Sequence, residues 1–152
     1  MLSLGARFYE CTDDEGKSVL VTKFRTRFEH QSYPGRTHGG ITSTLLDEAI
    51  GRSVSIPLPH AWGVTLDLNI KYKKPVPLDK DLYAITWTTK ITSRVFEGEG
   101  YIVDRDGTVL ATACGRYMQL DPSKISPEGI TAENWFYVDE DLPTHIDIGG
   151  DF

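Results

Sequence analysis

The sequence predicts an α+β domain in which one long helix lies against a single antiparallel sheet. Three observations predict it. Residues 40–56 carry a helical pattern that stops at Pro57 and Pro59. Residues 62–72 alternate apolar and polar side chains without a break. Three further strand-like stretches then follow on short links, one of them the Asp106-Gly107 pair that suits a tight hairpin. Short links imply antiparallel pairing, because parallel neighbours need a long crossover. A chain of 152 residues is the size of one domain.

The elements follow in chain order. Leu20, Thr22, Phe24, Thr26 and Phe28 share one face of a first strand, and Val19, Val21, Lys23, Arg25 and Arg27 the other. Residues 6–10 are its expected hairpin partner across the polar turn of residues 12–16. In the helix, Ile41, Leu45, Leu46, Ala49, Ile50 and Val54 cover more than half of the circumference. Ser43, Gly51 and Ser53 keep much of the rest small, so the helix is expected to be enclosed by the sheet. In the next strand Trp62, Val64, Leu66, Leu68, Ile70 and Tyr72 alternate with Gly63, Thr65, Asp67, Asn69 and Lys71, which predicts one face on a core. Pro75 and Pro77 end it. Residues 82–92, 96–104 and 108–120 complete the sheet. Ala111, Ala113 and Gly115 share a face of the last strand where a helix can approach closely. Residues 1–120 form the expected domain, and residues 121–152 an extension packed on or near it.

Charge and cysteine content exclude several function classes. Sixteen basic and 22 acidic residues give a net charge of −6, which leaves no basic face for a nucleic acid. No apolar run approaches the roughly 18 residues that span a membrane. Residues 1–7 lack a charged segment followed by an apolar one, so the expected location is the cytoplasm. Cys11 and Cys114 lie far apart, which predicts two reduced, buried thiols and no metal site.

The segment Tyr33-Pro34-Gly35-Arg36-Thr37-His38-Gly39-Gly40 runs straight into the helix. A helix start presents unpaired backbone N–H groups and the positive end of the dipole. Two glycines there let a ligand approach the backbone, the arrangement of an oxyanion site or of a simple chain-redirecting turn. Asp47 and Glu48 follow about two turns later. Glu48 has Arg52 four residues on, in the favourable orientation for a helix pair. Asp47 has no cation at helical spacing. An enclosed aspartate costs several kcal/mol unless it is partnered, so Asp47 needs a reason to be there.

The run from His38 to Gly51 resembles the HGG-x6-D helix of PaaI-type hotdog-fold acyl-CoA thioesterases. Residues 63–75 are similar to that family's strand after the helix, and residues 107–117 to its closing strand. The resemblance covers roughly residues 18–120. It implies a hotdog fold, with the helix wrapped by a curved sheet, and a homodimer or dimer of dimers whose sheets join and whose active sites lie between subunits. It implies hydrolysis of acyl-CoA, with Asp47 as general base or nucleophile and the Gly39 N–H as oxyanion donor. His38 and Gly40 lie beside that donor. Thr65 matches a hydroxyl that helps hold water or substrate from the partner subunit. Ser32 stands where some relatives carry an Asn contact. No cofactor is implied. Lys74 and Arg94 are the candidate partners for CoA phosphates. The competing reading is a non-catalytic acyl-CoA or lipid-binding module, because fold alone does not fix function.

Overall fold

The computed structural model describes residues 4–121 and 144–146. Strands β1 (Arg7–Thr12) and β2 (Ser18–Phe24) form the first hairpin, followed by a short 3-10 turn at Phe28–His30. Helix α1 spans Gly39–Ser53. Strands β3 (Trp62–Tyr72), β4 (Leu82–Ile91), β5 (Val95–Val103) and β6 (Val109–Leu120) follow. All pairings are antiparallel, in the order β1-β2-β4-β5-β6-β3.

Local chemistry sets the turns. Asp13 Oδ1 accepts the Glu15 and Lys17 N–H groups, and Gly16 supplies the positive φ that closes the β1–β2 hairpin. Gly107 has φ 74 in the β5–β6 turn, where Asp104 Oδ1 accepts the Asp106 and Thr108 N–H groups. The first strand is shorter than its pattern suggests. It ends at Phe24, and Phe28 turns outward to 74% exposure. Thr26 still points inward, its hydroxyl 2.7 Å from that of Thr37.

The helix is enclosed on one face of the sheet, as its composition predicts. Leu46, Ala49 and Ile50 are wholly buried among Phe24, Leu82, Ala84, Phe96, Ile102 and Ala113. Two polar contacts fix its height. Thr86 Oγ1 donates to the Ala49 carbonyl at 2.9 Å, and Ser53 Oγ lies 3.1 Å from Thr88 Oγ1.

Strand β3 departs from the uniform alternation. A bulge between Thr65 and Asp67 inserts Leu66 as an extra residue against β6. Before the bulge Gly63 and Thr65 face the helix, and after it Leu68, Ile70 and Tyr72 do. The single apolar face predicted for the strand is therefore split. Val64 and Leu66 are 36% and 48% exposed instead of buried. The same strand is one edge of the sheet among the described residues.

The opposite face of β2, β4 and β5 is apolar too. Val19, Val21, Tyr83, Ile85 and Val103 are buried there, with Tyr9, Cys11, Trp87, Tyr101, Val109 and Ile146 packed around them. Both cysteines are free, but only Cys11 is sheltered. Cys114 is exposed, because its side chain alternates away from the helix on β6.

Candidate active site

Two backbone hydrogen bonds hold the chain just before the helix. The His38 N–H donates to the His30 carbonyl at 2.8 Å, and the Thr37 N–H to the Val76 carbonyl at 2.9 Å. His38 itself is the N-cap, in extended conformation, and its Nδ1 accepts the Gly40 N–H at 2.9 Å. An accepting Nδ1 leaves the neutral ring's proton on Nε2. A Cβ on Gly40 would lie 3.0 Å from that Nδ1, so any larger residue there would press on the capping side chain. Replacing an N-cap side chain with Ala typically costs about 0.5–2 kcal/mol. We expect His38→Ala to lose stability in that range by urea denaturation, and His38→Asn, whose amide oxygen also caps, to recover most of it.

Gly40 is thus not an available donor, whereas Gly39 is the first helical residue and its N–H has no acceptor within the helix. Its carbonyl lies 3.0 Å from both Ser43 Oγ and Tyr72 Oη, which are 2.7 Å from each other. Two hydroxyl protons serve these three contacts. A Cβ on Gly39 would sit 3.6 Å from the Tyr72 ring, in ordinary contact. Nothing in the packing demands glycine at this position.

Asp47 is partly buried, and three hydrogen bonds converge on its carboxylate. Thr65 Oγ1 lies 3.0 and 3.2 Å from the two carboxylate oxygens. Tyr117 Oη is 3.1 Å from Oδ1 and 3.1 Å from the Asp47 carbonyl. Thr65 therefore meets Asp47 of its own chain. The bulge turns Thr65 inward while Asp67 remains outside, against Arg116. Glu48 faces away and pairs with Arg52, which also stacks over Phe8 at 4.5 Å.

Tyr117 is the partner of Asp47 that sequence reasoning missed. Its ring stacks on Phe96 with centroids 5.0 Å apart. Small residues make its slot: a Cβ on Gly115 would come within 2.8 Å of its hydroxyl, and one on Gly63 within 2.6 Å of Phe96. The Ala111, Ala113, Gly115 face was the available signal, since Tyr117 is the next residue on it. Burial, and then the Asp47 carboxylate, hold its phenol far above the usual tyrosine value, so it remains a donor. A raised folded pKa adds stability that is complete below about pH 10 and is lost above it, where the unfolded phenol ionises. We expect the stability gap between wild type and Tyr117→Phe, by urea denaturation, to be constant from about pH 7 to 9 and to narrow above about pH 10.

The other predicted residues are dispersed. Ser32 lies in a tight loop, its N–H bonded to the Arg36 carbonyl at 3.0 Å. Lys74 follows β3, and Arg94 begins the hairpin into β5. β3 is 11 residues long, so the ends near which these cations lie are about 33 Å apart. Gly39 and Asp47 are eight residues apart, about 12 Å along the helix axis. One chain thus holds a donor at one level of the helix and a hydrogen-bonded acid at another. No helix among the described residues is long and apolar enough to cross a membrane.

The sequence profile of the thioesterase superfamily matches residues 34–111, the stretch from the helix-start loop to β6. The chain belongs to the thioesterase superfamily. The fold is that family's hotdog fold, and thioester hydrolysis is its reaction class. An uncharacterised protein of Schizosaccharomyces pombe is 31% identical over 79% of this chain and 69% of its own length. The mouse acyl-coenzyme A thioesterase THEM4 is 31% identical over 68% of this chain. The chain spans 44% of that protein's length. A Bacillus halodurans protein crystallised with CoA is 30% identical, with a TM-score of 0.59 over 65% of this chain and 70% of its own.

Proposed function

We propose that this thioesterase hydrolyses acyl-CoA to free acid and CoA, and that each site joins Gly39 of one subunit to Asp47 of another. The observation that carries this reading is the separation along the helix. A donor and a base serving one thioester carbonyl must lie within a few ångströms of it, and about 12 Å separates these two in one chain. A symmetric pairing of β3 edges removes the conflict. Thr65 marks the level of Asp47 on β3, and Tyr72 marks the level of Gly39. Antiparallel pairing about a two-fold axis midway between Thr65 and Tyr72 sets each residue opposite the other in the partner. The half-exposed Val64, Leu66 and Tyr72 on this edge support an interface there. The same pairing carries Lys74 of one subunit toward the Arg94 end of the other.

In the reaction Asp47, as general base, takes a proton from water, which attacks the thioester carbonyl. The Gly39 N–H bonds the oxyanion as it forms. Collapse of the tetrahedral species expels the CoA thiolate. The Thr65 and Tyr117 hydroxyls hold the carboxylate in place. Names of relatives support CoA as the handle, since one is an acyl-coenzyme A thioesterase and another was crystallised with CoA.

A panel of short, long and aromatic acyl-CoAs, followed by release of free thiol, tests the proposal. Turnover of at least one class is expected. Tight binding of acyl-CoA with no turnover across the panel would favour the binding-module reading instead. If Lys74 and Arg94 meet phosphates, Lys74→Ala and Arg94→Ala should raise KM at low salt more than at high salt, because exposed charge contacts are screened. Unchanged KM in both variants removes them from the CoA site.

A further inference from the structure

The face of the sheet turned away from the helix is built like an interior. An antiparallel sheet with a helix on one side commonly shows water a polar second face. Here Val19, Val21, Tyr83, Ile85 and Val103 are each at most 5% exposed on that face. Cross-strand neighbours lie in the same layer and cannot bury these side chains from above. Polar contacts ring the patch. Lys17 Nζ lies 3.5 Å over the Trp87 ring, and Trp87 Nε1 donates to Glu99 at 3.1 Å. An apolar centre with a polar rim is the anatomy of an occupied interface. Among the described residues, Ile146 is the one outside the strands that packs on this cluster. Its neighbours Thr144 and His145 are exposed, so this short segment turns a single apolar side chain inward.

We propose that the segment carrying Ile146 is an intramolecular strap that occupies the outer face of the sheet and closes it to a second copy of the chain. The strap sits on the side of the sheet opposite Asp47, so its role is independent of the hydrolytic reading. Leaving it out would open an apolar patch of β2, β4 and β5, the kind of surface that drives association.

The two cysteines provide the measurement. Cys11 packs against the covered cluster, and burial pushes its thiol up, whereas Cys114 is exposed. Thiol labelling of the full chain should therefore show one fast and one slow site, assigned with Cys114→Ser and Cys11→Ser. In Ile146→Asp, and in a chain ending at Pro143, Cys11 labelling should quicken at least about tenfold while Cys114 is unchanged. The mass in solution should also rise with concentration beyond that of the parent. Ile146→Ala, a milder change, should give the same direction with a smaller effect and keeps the test valid if the aspartate variant does not fold. Cys11 labelling within about twofold of the parent in the truncated chain and in Ile146→Ala would overturn the strap. Faster labelling with an unchanged mass at every concentration would overturn its part in limiting association.

Discussion

Asp47→Asn is expected to lower kcat by at least about 10², the lower end of what a general base contributes. The substitution keeps nearly the same volume and removes the charge. The amide oxygen can still accept from Thr65 or Tyr117, so the three-residue cluster should survive in outline. Thermal melting should therefore stay near that of the parent while turnover falls. Glu48→Gln is the control. It removes an exposed helix pair with Arg52, which is worth about 0.2–0.5 kcal/mol, and turnover should be nearly intact. The reverse ranking in folded variants would show that the other carboxylate carries the chemistry.

Gly39→Pro should be almost as damaging to kcat and nearly harmless to the fold. Proline has no N–H, so it deletes the proposed oxyanion donor and nothing else at the backbone. It is well tolerated at the first position of a helix, which is where Gly39 stands. His38 already has φ −61 and ψ 135, the conformation that a residue before proline prefers. Loss of one such donor typically costs about 10² to 10³ in kcat. The pair of variants also tests the two-subunit site. In a mixed dimer of Asp47→Asn and Gly39→Pro chains, one site inherits both defects and the other inherits neither. Random reassociation of equal amounts should then recover about a quarter of the parent activity. No recovery, in dimers shown to exchange, would assign donor and base to one chain.

Most of the fold was legible because its signals are local. Proline pairs lie a few residues beyond the ends of the helix, at Ser53, and of β3, at Tyr72, and Asp106-Gly107 fixes the last hairpin. The helix composition announced that it would be enclosed. The helix start was legible as well, down to the difference between Asp47 and Glu48, because an i to i+4 pair is read directly from spacing. Three features were not. The bulge at Leu66 leaves no mark in a pattern that alternates perfectly through it, so the faces of β3 were assigned as one. Tyr117 reaches Asp47 only through the pairing of β6 with β3, a contact 70 residues apart in sequence. The Cys114 thiol was expected to be buried, and strand alternation on β6 places it outside.

The bulge in β3 has a consequence for how this strand can change. It divides 11 residues into two reading frames that meet at Leu66. Upstream, odd-numbered positions address the acid; downstream, even-numbered positions address the helix. Each frame can vary in chemistry on its own. The length between them cannot, because loss of one residue would put both halves in a single frame. Either Thr65 would swing out toward water, or Leu68, Ile70 and Tyr72 would leave the helix, and with Tyr72 the support of the Gly39 carbonyl. A loop of this chain can gain or lose residues at little cost, whereas here a single deletion would uncouple the acid from the amide. The strand stores the spacing of the site as a count of residues.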